Sequence, residues 1–170
     1  MSIDLLDSGR IARSVEAAHF PAGGGSMGID AAPCRVGIDI VQVSRIQESL
    51  ERFGARFVDR LYTPAEAAYA GAAPGLQAER LAARFAAKEA ALKALQLTDA
   101  GVDWREIEVC RDATGACRLA LHGKAASLVY RHGGLAIGLS MSHDGDYAVA
   151  VVTAVGPDPV SLSACGHFND

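Results

Sequence analysis

A chain of 170 residues with 50% hydrophobic content is long enough to bury a core and too apolar to be disordered. Its 16 Lys and Arg against 20 Asp and Glu leave a net charge of −4, so overall charge excludes a general attraction to nucleic acid and any anion site must be local. Cys34, Cys110, Cys117 and Cys165 form no CxxC pair, and the five histidines supply no matching zinc pattern. Free thiols in a reducing cytosol follow. Asp4, Asp7 and Arg10 break the apolar stretch that a signal peptide needs, and no apolar run reaches the ~20 residues of a membrane span. The expectation is a soluble cytoplasmic protein with neither nucleic acid nor membrane as partner.

Residues 1–34 read as an N-terminal extension with a glycine-rich linker, PAGGGSMGIDAAP, and residues 156–170 as a mobile tail without periodicity. The folded domain is then 35–155. In 35–41, Val36, Ile38 and Ile40 alternate with Gly37, Asp39 and Val41, which predicts a strand. The period becomes helical from Val43 to Phe53, Gly54 interrupts it, and a second short helix ends before Thr63-Pro64, a good N-cap and first residue for a third. Residues 77–97 hold neither Gly nor Pro and are dense in Ala, Leu, Lys, Glu and Arg, the composition of a long helix. Strands are expected at 104–111, 117–121, 135–142 and 147–153, with a turn at His143-Asp-Gly-Asp146 and a helix at 123–132. The order predicts an α+β domain in which a small antiparallel sheet packs against one long helix and several short ones.

Asp39 lies among apolar neighbours in VGIDIV, where strand propensity disfavours aspartate and a buried carboxylate needs a cation or several donors. Taken alone it reads as an acid satisfied by an internal arginine or backbone N–H groups. A partner is available in the long helix, where Glu89 and Lys93 share one face and Arg84 and Lys88 form a second pair four residues apart. An exposed Glu-to-Lys pair worth ~0.2–0.5 kcal/mol is the competing account. Against it, alanines at 82, 83, 86, 87, 90 and 91 surround these charges and would let a ligand or backbone approach closely. Two carboxylates with nearby cations are the residues of a phosphate-handling Mg²⁺ site, because that ion takes one or two carboxylates plus phosphate oxygens.

The succession of GID (37–39), RFAAKEAALKAL (84–95), WREIEV (104–109) and LSMSHDGDYAVAVV (139–152) resembles the holo-[acyl-carrier-protein] synthase family, short-chain 4'-phosphopantetheinyl transferases, over the whole core. The resemblance implies transfer of 4'-phosphopantetheine from coenzyme A to a serine of an apo acyl carrier protein, with release of adenosine 3',5'-bisphosphate, in fatty-acid or polyketide synthesis. It implies Asp39 and Glu89 as ligands of Mg²⁺, or Mn²⁺ in its place. Lys93 would contact the phosphate under attack, and Arg84, Lys88 and His143 the rest of the nucleotide. Arg45 would dock the carrier protein, with Arg52, Arg56 and Arg60 extending that basic segment. Glu89 and a water on the metal are the two candidate bases. A homotrimer with coenzyme A sites between subunits is also implied, against a monomer whose apolar strands fill its own core. A non-catalytic module binding carrier protein or coenzyme A, and a different Mg²⁺-dependent phosphotransferase, are the rival functions.

Two positions depart from the family pattern: Gln96 stands at a usual glycine, predicting a longer or differently turned helix end, and Cys117 replaces a common proline. The string Gly23 to Gly28 satisfies G-x-G-x-x-G, but no strand leads into it. His143 and Asp144 lack the G-x-S-x-G elbow of a hydrolase, so Ser142 and Asp144 read as turn formers.

Overall fold

The strand β1 (Cys34–Gln42) opens the region described by the computed structural model, residues 33–156 except 74, 132 and 133. Apart from residues 33, 34 and 156, the expected extension and tail lie outside the described residues. Three short helices follow, α1 (Val43–Phe53), α2 (Ala55–Leu61) and α3 (Pro64–Gly71). Thr63 caps α3 as expected, and a reciprocal bond from the Thr63 N–H to Glu66 completes a capping box.

The long helix α4 (Gln77–Ala94) ends three residues before the predicted boundary. The Leu97 N–H bonds to the Leu92 carbonyl at 2.8 Å and the Gln96 N–H to the Lys93 carbonyl at 3.2 Å, which makes a Schellman turn. Leu92 and Leu97 are both buried against this turn. Gln96 takes φ 57°, the left-handed conformation that glycine adopts freely. The missing glycine therefore appears as backbone strain and not as a longer helix.

Residues 104–106, expected to begin a strand, form a 3-10 turn instead, because Asp103 and Glu106 cap each other across it. The hairpin β2 (Ile107–Arg111) and β3 (Cys117–Leu121) follows, then α5 (Gly123–Arg131), β4 (Ala136–Asp144) and β5 (Tyr147–Val155). The strand β4 runs two residues past the predicted end, so His143 sits on a strand and only Gly145 and Asp146 turn the chain.

The strands form two antiparallel sheets where one was expected, β1-β5-β4 and β2-β3. Small side chains bring α4 down onto the first: Ala86, Ala87, Ala90 and Ala91 of the helix and Ala148, Ala150, Val152 and Ala154 of β5 are all buried. Gly37 of β1 meets α4 so closely that a Cβ there would stand 2.0 Å from the Ala90 carbonyl oxygen. Asp39 and Val41 share that helix-facing side. Val36, Ile38 and Ile40 point the other way and are 61%, 59% and 64% exposed. This outward row of β1 thus does not fill the chain's own core, whereas Val41 packs against it.

Candidate active site

The pairing of β1 with α4 sets two acids in one cleft. A cleft of about 520 Å³ is lined by Asp39, Gln42, Arg45, Phe85, Glu89 and Tyr147, among others. Burial pushes the Glu89 carboxyl above its usual range, the Asp39 carboxylate adds to the rise, and Lys93 opposes it. Lys93 donates to Asp39 Oδ1 at 2.8 Å and to the Ile38 carbonyl at 3.0 Å. Its side chain is 46% exposed and that of Asp39 is 19% exposed. The three residues read from the sequence as a unit are therefore neighbours.

The donor set fits a hard divalent cation. Among the described residues no group of three or more His, Cys, Asp or Glu could hold a metal. Zinc, which takes three or four protein ligands, finds no set here, whereas Mg²⁺ uses one or two carboxylates and leaves its other positions to water and phosphate.

Arg84 and His143 lie elsewhere. They line a second cleft, of about 410 Å³, together with Tyr69, Glu79, Arg80 and Arg111. Arg84 and Met141 to His143 face this cleft, while Phe85 and Glu89 face the first, so α4 stands between the two. The guanidinium groups of Arg80, Arg84 and Arg111 lie 4.7, 4.2 and 5.5 Å from the Tyr69 ring centre. Burial pulls the Arg84 guanidinium below its usual range, and its Nε has no hydrogen-bond partner among the described residues. His143 Nδ1 is 3.4 Å from Glu79. The arrangement concentrates positive charge in a chain that is acidic overall.

Lys88 requires a correction. The sequence reading assigned it to the nucleotide, but its side chain is wholly buried and its ammonium pairs with Glu66 at 2.9 Å. It also donates to the Trp104 carbonyl at 2.9 Å and to the Ile107 carbonyl. An ammonium has three donors, and all three are taken. Glu66 in turn accepts the Thr63 and Val109 N–H groups, so Lys88 ties α4 to α3 and β2 from inside. Burial lowers its basicity and Glu66 restores part of it.

Arg45, Arg52, Arg56 and Arg60 are all exposed on α1 and α2, and Arg45 reaches the rim of the first cleft. Arg80, Arg111 and Tyr69 were missed in the sequence, since nothing local separates them from ordinary surface residues. Glu66 had a signal, three positions after the Thr63 cap.

The match to the family model for the 4'-phosphopantetheinyl transferase superfamily covers residues 35–152. A holo-[acyl-carrier-protein] synthase of Gloeobacter violaceus is 47% identical over 122 residues, spanning 72% of this chain and 92% of that protein. One from Koribacter versatilis is 50% identical over 117 residues, 68% of this chain and 93% of that protein. Among solved structures, the ACPS–CoA complex of Chronobacterium ammoniagenes superposes with a TM-score of 0.66 at 35% identity, covering 74% of this chain and 99% of that one. The coenzyme A complex of Helicobacter pylori holo-[acyl-carrier-protein] synthase gives 0.60 at 29% identity over 70% of this chain and 98% of that one. With the acid pair, its lysine and the α+β frame all carried by the matched residues, the chain belongs to the 4'-phosphopantetheinyl transferase superfamily.

Proposed function

We propose that this protein is a holo-[acyl-carrier-protein] synthase, moving 4'-phosphopantetheine from coenzyme A to a serine of an apo acyl carrier protein in the cytoplasm. The observation that carries the reading is the cleft shared by Asp39 and Glu89, with Lys93 bonded to Asp39 beside it. Asp39 and Glu89 would hold Mg²⁺, and the bound ion supplies charge neutralisation at the diphosphate. Lys93, already at the acid pair and half exposed, is placed to take a phosphate oxygen. Glu89 is the group of this chain that would receive the serine proton where solvent does not. Arg45 at the rim offers a cation to an acidic carrier protein.

The basic cleft around Arg84 and His143 suits the remaining phosphate and base of the nucleotide, but α4 separates it from the acid pair. A single chain then offers one half of a coenzyme A site on each side of this helix. The exposed row Val36, Ile38 and Ile40 is an apolar strand face that a second copy would cover. Both features support a homotrimer whose sites form between subunits, each joining the acid cleft of one copy to the basic cleft of the next.

Apo acyl carrier protein incubated with the enzyme, coenzyme A and Mg²⁺ should gain one phosphopantetheine mass on one serine. Asp39→Ala and Glu89→Ala should each abolish the gain while leaving the circular dichroism spectrum unchanged. Binding of both substrates without the mass increase would refute the catalytic reading in favour of a binding module.

A further inference from the structure

The helix α1 starts without a cap of its own. Gln42 precedes it with no side-chain bond to the helix amides, and no acidic residue lies in the first turn. Leading amides and the positive end of the helix dipole both call for an acceptor there. It comes from the far end of the chain. Asp146, in the turn between β4 and β5, accepts the Ser44 N–H on Oδ1 at 2.7 Å and the Ser44 hydroxyl on Oδ2 at 2.7 Å. Its backbone carbonyl accepts the Val43 N–H at 2.8 Å. One residue thus supplies three bonds, two of them charge-assisted, to the first two positions of α1.

The next residue along the helix is Arg45, which lines the acid cleft. Tyr147, next to Asp146, lines the same cleft, and its hydroxyl accepts from Gln42 at 3.2 Å. The β4–β5 turn therefore sets where Arg45 stands relative to Asp39. We propose that Asp146 is a positioning residue for carrier-protein use: it clamps the start of α1 so that a carrier docked on Arg45 presents its serine to the phosphate held at Asp39, Glu89 and Lys93. The inference rests on the reading of Arg45 as a docking residue. Without the clamp the first turn of α1 frays, and the carrier meets the docking geometry in only a fraction of molecules. Its apparent affinity falls by that fraction.

Steady-state kinetics of Asp146→Ala, Asp146→Asn, Ser44→Ala and Arg45→Ala test this, with coenzyme A and apo carrier protein varied separately. Asp146→Ala should raise KM for the carrier protein about fivefold, the loss typical of a removed helix cap, with kcat and KM for coenzyme A within twofold. Asp146→Asn and Ser44→Ala each keep a side-chain oxygen at 146 for the residue-44 N–H, which Asp146→Ala loses, and should show the same selective change in smaller measure, which covers an alanine variant that fails to fold. In an Arg45→Ala background the Asp146 effect should vanish. If Arg45→Ala raises KM for the carrier but the Asp146 and Ser44 variants do not, the positioning role is wrong and the docking assignment stands. Equal rises in both KM values, or a full Asp146 effect without Arg45, overturn the proposal. No effect of Arg45→Ala on the carrier overturns the docking assignment and the proposal together.

Discussion

Gly37→Ala tests whether the approach of α4 to β1 is what assembles the acid cleft. The added Cβ would stand 2.0 Å from the Ala90 carbonyl oxygen and 2.8 Å from the Ala94 nitrogen, both backbone atoms that no rotamer change can move aside. Real Cβ contacts do not fall below 3.0 Å, so helix and strand must separate by at least about 1 Å at this point. Overpacking of this kind costs about 1–3 kcal/mol. At roughly 3–5 °C per kcal/mol for a fold of this size, the melting temperature should fall by some 3–15 °C. Glu89 adjoins Ala90 and Asp39 lies two residues from Gly37, so the same displacement pulls the two carboxylates apart. A misplacement of ~1 Å at a reacting centre costs about 10²-fold. Differential scanning fluorimetry and the mass assay for carrier modification, both on the purified variant, read the two effects. A variant with wild-type melting temperature and near wild-type rate would refute the close-contact argument. A large loss of rate at unchanged stability would place the role of Gly37 elsewhere.

Three further outcomes follow from the same structure. Gln96→Gly should stabilise the protein by roughly 0.5–1 kcal/mol, since an L-residue in the left-handed conformation costs about 1–2 kcal/mol and the freer unfolded chain returns part of it; a lower urea midpoint would refute this. Lys88→Met should cost about 3–5 kcal/mol by leaving Glu66 buried without its counter-ion. The double variant Lys88→Met with Glu66→Gln should recover much of that loss and retain the KM for coenzyme A, whereas a raised KM at recovered stability would return Lys88 to the nucleotide site. The third concerns pH. Glu89 has its carboxyl pushed above 4.5 in the folded state, so the native protein holds more protons than the unfolded chain between 4.5 and that higher value. Stability from this group therefore falls as pH rises through that window. Glu89→Gln should melt above the wild type near neutral pH, with the difference shrinking below pH 4.5; a difference independent of pH would contradict the assigned cause.

What could be read along the chain was whatever neighbours in sequence settle between themselves. The alternation of residues 35–41, the Thr63-Pro64 start of α3 and the alanine-rich run of α4 each depend on contacts within a few residues, and each appears where expected. The acid pair was legible because an aspartate is unusual in an apolar strand, and because the alanines around Glu89 and Lys93 told against an ordinary exposed pair. Failures came at boundaries, as at residues 104–106, where reciprocal caps outweighed strand propensity.

Tertiary structure decided which side of each element faces inward and which distant groups meet. Periodicity marks two faces of β1 without saying which is covered, and the close contact of Gly37 with α4 turned Val36, Ile38 and Ile40 outward. Lys88 and Glu89 are adjacent in sequence, yet the helix sends one to a buried ion pair and the other to an open cleft. The cap that Asp146 provides to α1 spans 102 residues and depends on the β4–β5 turn arriving at that helix. Sequence determined the residues able to handle a phosphate. Only the packing of α4 on the sheet decided which of them share a cleft, because side-chain direction in a packed core is set by long-range contacts that no local pattern encodes.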